Sequence, residues 1–242
     1  MRRGILSCLF GLLVVPLAAS TINPMDLVIL VDESSSIGDE DFVTELNAIS
    51  AILNHLPVTT AEVNVSLIAF GTTARTVSNL SGNLASIQST IDNLFQGYGN
   101  TNHAEAFSLA ASQFDNHGRE GATGIVFLIT DGTPTHPSGT ALSSAINAAN
   151  DLKNDGYLLY AIGVGGDVGI TDLELYASTP TNSFVSHYDS FADLETAAET
   201  LADDILTHSS LAAVPEPSAV AFLIFPISAL GMALWRRRAR RV

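Results

Sequence analysis

The chain folds, on the reading of its sequence, as an open α/β domain: a Rossmann-like, mainly parallel sheet with helices on both faces. Two observations lead there. Four short runs, Leu27 to Val31, Val63 to Phe70, Gly124 to Thr130 and Leu158 to Val164, are almost continuously apolar. Strands buried on both faces of a parallel sheet read this way, whereas half-exposed strands alternate. Stretches of helical periodicity fall between those runs, and strands alternating with helices argue for a layered α/β sheet.

Each element has its own signal. After the Leu27 to Val31 strand, Phe42, Leu46, Ile49, Leu53 and Leu56 recur at helical spacing. Ala74 to Val77 follows the second strand as a candidate antiparallel edge strand. Leu84, Ile87, Ile91 and Leu94 make the next helical stripe, and Phe107, Ala111 and Phe114 another. Leu142, Ile146, Ala149 and Leu152 predict a helix beyond the third apolar run. Gly163-Val164-Gly165-Gly166-Asp167-Val168 leaves the fourth run as a turn; it lacks the third glycine and the lysine that phosphate loops need. Thr171-x-x-Glu174 has the form of a capping box opening a short helix. Phe184 to His187 predicts a last short strand, and Leu194, Ala198, Leu201 and Ile205 a final helix.

Charge partitions the chain into three. Residues 1–20 read as an export signal: Arg2 and Arg3, an apolar core from Ile5 to Ala19, then small residues at Ala18-Ala19-Ser20. Cys8, the only cysteine, lies inside it, so a processed chain would carry no thiol. Residues 21–213 make one domain, large enough for a well-buried core. Between the signal and Pro215 stand 24 acids against three bases, Arg75, Arg119 and Lys153, a net charge of −21. Nucleic acid is excluded as a natural partner, because phosphate binding needs clustered lysine and arginine. Residues 214–242 differ again. Val214-Pro215-Glu216-Pro217-Ser218 precedes an apolar run of 17 residues, Ala219 to Trp235, and a cluster from Arg236 to Arg241 with five arginines. The run is marginal for a membrane span, and the arginines would lie on the cytoplasmic side. An ordinary C-terminal anchor would read similarly. Pro-Glu-Pro, span and arginines in that order resemble the PEP-CTERM sorting signal. That resemblance implies recognition by an exosortase of a Gram-negative-type bacterium, transient anchoring in the inner membrane, and delivery to the cell surface or extracellular exopolysaccharide matrix.

The most informative segment is Asp32-Glu33-Ser34-Ser35-Ser36, directly after the first apolar run. One carboxylate and two hydroxyls come from a single turn, a set of hard oxygen donors suited to Mg²⁺, Mn²⁺ or Ca²⁺. Asp131 ends the third run as Thr130-Asp131-Gly132, and Thr101 stands in Gly99-Asn100-Thr101-Asn102 ahead of a helix. Asp32 and Asp131 are each expected one residue past a strand, at the sheet edge where open α/β sheets bind ligands. Taken singly, the serine turn or Thr101 could be a helix cap and Asp131-Gly132 a plain turn. Together the three segments resemble the metal-ion-dependent adhesion site, or MIDAS, of the von Willebrand factor type A (VWA) domain family, over most of residues 25–209. The resemblance implies Ser34, Ser36 and Thr101 as hydroxyl ligands of a divalent metal, Asp32 and Asp131 acting largely through water, and a vacant position for a partner's carboxylate. The usual Gly-Gly-Thr is Gly-Asn-Thr here. Glu33 is expected to face solvent beside the site. His103, His117, His136, His187 and His208 show no His-x-x-x-His pair and are expected at the surface or in loops.

The function expected from these features is that of an exported adhesion module rather than an enzyme. Its partner would be a protein presenting Asp or Glu, or matrix exopolysaccharide. A metal-dependent hydrolase using Asp32 and Asp131 is the main alternative, and a matrix protein stiffened by its metal a third. No Gly-x-Ser-x-Gly elbow, cysteine nucleophile or general base near the motifs favours the hydrolase.

Overall fold

The computed structural model describes residues 23–212. The proposed signal at residues 1–20 and all of the segment 214–242, its apolar run included, lie outside them. In order, the described elements are β1 (Met25–Asp32), α1 (Asp39–His55), β2 (Val63–Phe70), β3 (Ala74–Ser81), α2 (Leu84–Asp92), α3 (His103–His117) and β4 (Thr123–Thr130). Then come α4 (Ala141–Asn154), β5 (Leu158–Val164), α5 (Ile170–Tyr176), a 3-10 turn (Thr181–Ser183), β6 (Val185–Tyr188), α6 (Phe191–Thr196) and α7 (Ala198–Ala212). No described helix is long and apolar enough to cross a membrane.

The six strands form one sheet in the order β3-β2-β1-β4-β5-β6. Only β3 runs antiparallel, against β2. All eight residues of β1 are buried, as are seven of eight in β2 and β4, so the sheet is covered on both faces. The helices divide accordingly. α1 packs with α6 and α7, while α3 packs with α4 and α4 with α5. Each large aliphatic side chain so enclosed contributes about 1.5–3 kcal/mol. Chain order leaves β1 toward β2 on one side and reaches β4 on the other. That reversal opens a crevice between the C-terminal ends of β1 and β4, the place where such sheets bind ligands.

Several boundaries depart from expectation. The edge strand extends to Ser81, because its polar residues pair with β2 across register shifts near Leu67. β6 sits one residue later than expected and pairs in parallel with Ala161 to Val164. Asp32 is the last residue of β1 rather than the first beyond it. Thr171 is no cap: α5 begins at Ile170 with Gly169 as its N-cap and no side-chain capping bond. The stripe from Leu194 to Ile205 spans two helices, which break at Ala197 while the buried spacing continues.

Arg119 fastens the opposite edge of the sheet. Its Nε and backbone N–H donate to the two carboxylate oxygens of Asp26 at 2.8 and 2.7 Å. Its terminal nitrogens donate to the carbonyls of Met25, Thr60 and Glu62 at 2.6, 2.9 and 3.1 Å. Asp26 is 2 % exposed. A carboxylate so enclosed needs a fixed, fully bonded partner, since losing it would leave a buried charge unpaired.

Candidate metal centre

The turn after β1 is built by Asp32 itself. Asp32 Oδ1 accepts the Ser34 N–H at 2.9 Å, which curls the chain out of the sheet. Asp32 Oδ2 accepts the Thr130 hydroxyl at 2.6 Å, which ties the turn to the end of β4. Ser34 Oγ and Ser36 Oγ lie 3.0 Å apart, and Ser36 Oγ donates to Asp131 Oδ1 at 2.8 Å. Asp32, Ser34, Ser36 and Asp131 therefore form one polar string across the crevice. Thr101 is 4 % exposed and sits on an adjoining loop. That loop is bound to the serine turn by Ser35 N–H to the Gly99 carbonyl at 3.0 Å, and by Gly99 N–H to Ser35 Oγ at 2.8 Å. Gly99 has φ +103°, a left-handed conformation that glycine tolerates, and an added Cβ would stand 2.4 Å from Thr72 Oγ1. Thr101 is not the helix cap. Asn102 caps α3 by accepting the Glu105 N–H at 3.2 Å, and the Thr101 backbone is held instead by Thr135 and His136.

Two expectations about neighbouring residues fail. Glu33 does not face solvent. It is 4 % exposed, paired with Arg75 Nη2 at 2.5 Å, and accepts the Gly97 N–H at 3.0 Å. With Gln96 Nε2 donating to the carbonyls of Ser34 and Ile37, these bonds clamp the segment before Thr101 onto the serine turn. His103 is not a surface residue. It is fully buried among Phe70, Phe107 and Tyr176, with Nε2 3.2 Å from Thr130 Oγ1. The single Thr130 hydroxyl proton is directed at Asp32, so His103 donates Nε2–H and is the neutral tautomer. Burial pushes its pKa down to about 3. Glu45, absent from the expected site, is also fully buried, and its Oε1 accepts the Asp32 N–H at 3.2 Å.

The electrostatics of this edge are one-sided. Burial pushes Asp32 up to about 7, against the opposing hydrogen bonds from Ser34 and Thr130. Burial also raises Asp131, and the charges of Asp167 and Asp41 add to it. Those acids and Asp189 line a cavity of about 160 Å³ beside Asp131. Burial and then the Asp32 charge push Glu45 well above the carboxylate range. The two ion pairs among the described residues, Arg75–Glu33 and Arg119–Asp26, reach none of Asp32, Glu45 and Asp131. Among the described residues no three His, Cys, Asp or Glu side chains converge as a metal cage. The two serine hydroxyls and two carboxylates of this string, with no ion-pair partner among the described residues, fit a hard divalent cation that keeps some of its water, and Thr101 stands on the adjoining loop.

Sheet order, crevice and oxygen-rich turn define an open α/β domain of the ligand-binding kind, with its polar cluster at the topological switch. The von Willebrand factor type A domain profile matches residues 26–200, and the chain belongs to that family. It is 28% identical over 183 residues to rat "Sushi, von Willebrand factor type A, EGF and pentraxin domain-containing protein 1", covering 72% of this chain but 5% of that protein. The chain thus spans a small fraction of that relative's length. Two solved structures share the fold. The mussel byssus proximal thread matrix protein 1, described with a zinc-occupied MIDAS motif, superposes with TM-score 0.67 at 22% identity, over 76% of this chain and 46% of that one. The manganese-loaded Plasmodium vivax TRAP protein gives TM-score 0.60 at 24% identity, over 73% and 74% of the two chains.

Proposed function

We propose that this chain is an exported binding module whose crevice takes a divalent metal and, through it, a carboxylate-bearing ligand. Ser34, Ser36 and Thr101 would hold the metal, with Asp32 and Asp131 orienting its water. When bound, the metal supplies positive charge that attracts an incoming Asp or Glu. The observation that carries this is the Asp32–Ser34–Ser36–Asp131 string, which spans the switch-point crevice with neither carboxylate in an ion pair among the described residues. The zinc and manganese of the two structural relatives support a divalent ion without choosing Mg²⁺ over Mn²⁺ or Ca²⁺ for this chain. The partner class is a protein presenting Asp or Glu, or matrix exopolysaccharide.

The test is capture of a matrix-derived partner on immobilised protein in Mn²⁺ and in EDTA. Binding should vanish in EDTA. Thr101→Ala should weaken partner capture more than Mn²⁺ uptake. Capture indifferent to EDTA would refute the reading.

We also propose that residues 214–242 act as a sorting address read by an exosortase, on the strength of Pro215-Glu216-Pro217, the apolar run and the arginine cluster. Removing residues 215–242 should shift the protein from the cell surface to periplasm or medium. Surface display undiminished by the truncation, measured by fractionation, would remove the proposal.

A further inference from the structure

The three bases of the acidic domain are unevenly used. Arg119 is spent on Asp26 and three backbone carbonyls. Lys153 Nζ donates to the carbonyls of Leu175 and Ala177 at 3.3 and 3.4 Å. Arg75 differs. Its Nη2 bonds Glu33 and the Phe95 carbonyl, while its Nε and Nη1 donate to none of the described residues. A guanidinium has five N–H donors, so most of these are unspent, and the side chain is 46 % exposed. Arg75 lines a groove of about 440 Å³ between β3 and the last turn of α2, together with Val77, Ser89, Leu94 and Phe95. Clefts that hold ligands are of this size, about 300–1,000 Å³. Among the described residues no acid lines it. Val77 and Leu94 pack against the core, whereas Phe95 is 83 % exposed. The backbone around Phe95 is fixed: the Leu94 N–H donates to the Ile91 carbonyl, and Gln96 Nε2 to the carbonyls of Ser34 and Ile37. A lone exposed aromatic needs no explanation, but this one shares a groove with an underused arginine. Aromatic and arginine side chains carry much of the binding energy at interfaces, and those set on fixed backbone lose less freedom on binding.

We propose that this groove is a second docking site, separate from the metal crevice, and that it takes a protein segment presenting a carboxylate beside an apolar side chain. Glu33 is enclosed and takes one nitrogen of Arg75. The unspent donors would meet the incoming carboxylate in charge-assisted hydrogen bonds. The apolar neighbour would cover Phe95 where Val77 and Leu94 adjoin it. Exposed charges more than about 10 Å away are largely screened at 0.1 M salt, so the net negative charge of the domain does not bar an acidic segment from an acid-free groove.

The test is fluorescence anisotropy with a panel of labelled pentapeptides, each with a central Asp flanked by Leu, Ile, Phe or Tyr, and a matched panel with Asn for Asp. The protein and its Phe95→Ser and Arg75→Lys variants are titrated in EDTA, which silences the metal crevice and makes the outcome independent of the metal reading. At least one acidic peptide should bind with a Kd below about 1 mM, and about fivefold more tightly than its Asn counterpart. Phe95→Ser should weaken it about tenfold. Arg75→Lys keeps a cation for Glu33 but loses the planar fork, and should weaken it about fivefold. If Arg75→Lys fails to fold, Phe95→Ser decides, since so exposed a ring contributes little to the core. No binding by any acidic peptide, equal binding of the Asn panel, or undiminished binding by a folded variant overturns the proposal. Sedimentation of the protein alone is the last arm: self-association abolished by Phe95→Ser would also overturn it, by giving the groove to a second copy of this chain.

Discussion

Asp32→Asn should bind Mn²⁺ at least about a hundredfold more weakly, yet make the metal-free domain more stable at pH 8. The two effects share one cause. Asp32 is fully buried, and its pKa stands near 7 against an ordinary value of 3.8. An acid whose folded pKa is raised binds its proton more tightly when folded. Its contribution is complete below about pH 4 and is lost as pH rises through 7. The shift corresponds to about 4 kcal/mol, an upper figure for one group. A bound cation removes the penalty; so does a neutral amide. Asparagine can still accept the Ser34 N–H, and Thr130 can turn its hydroxyl to the Gly132 carbonyl, 3.2 Å away. Denaturant unfolding in EDTA at pH 5 and pH 8, with Mn²⁺ calorimetry, measures both effects. A variant less stable than its parent at pH 8, or one with unchanged affinity, would sink this account of Asp32.

His103 works in the opposite sense. It is a base whose folded pKa is pushed down to about 3 from 6.5. The unfolded chain therefore binds the proton first. The stability that neutral His103 brings is whole above pH 6.5 and drains away as pH falls toward 3, by up to about 5 kcal/mol. Asp32, Glu45 and Asp131 are raised and act with the contrary sign, so the contribution of His103 is masked in the metal-free protein's own pH curve. The comparison must be made between parent and His103→Gln, which keeps a donor for Thr130. Between pH 6.5 and 4 the variant should lose less stability than its parent in matched denaturant curves. Parallel curves would mean that the His103 ring is reached by water on acidification before the domain unfolds.

The central strands are plain in the sequence because burial on both faces leaves no polar residue to interrupt them, as β1 and β4 illustrate. β3 is legible only in its first half, since its residues are half-exposed and polar and their pairing depends on β2. The break between α6 and α7 leaves no trace, because apolar spacing carries across Ala197. Asp32, Ser34, Ser36 and Asp131 could be picked out because each stands where an apolar run stops. Glu33 could not be placed, because its surroundings are Arg75 and Gly97, distant in the chain. His103 and Glu45 did have a signal. His103 precedes Ala106, Phe107 and Ala110 at helical spacing, and Glu45 follows Phe42 by three. A polar residue standing in an apolar stripe was the mark of the groups beneath the crevice.

The bonds of Arg119 give the domain a polarity along its strands. At the N-terminal ends one guanidinium satisfies a buried acid and three carbonyls. At the C-terminal ends Asp32, Asp131 and Glu45 are gathered with no ion-pair partner among the described residues. One rim is thus chemically closed and the other chemically hungry. Substitutions at the closed rim will register in how well the molecule survives heat, and those at the other in what it can hold.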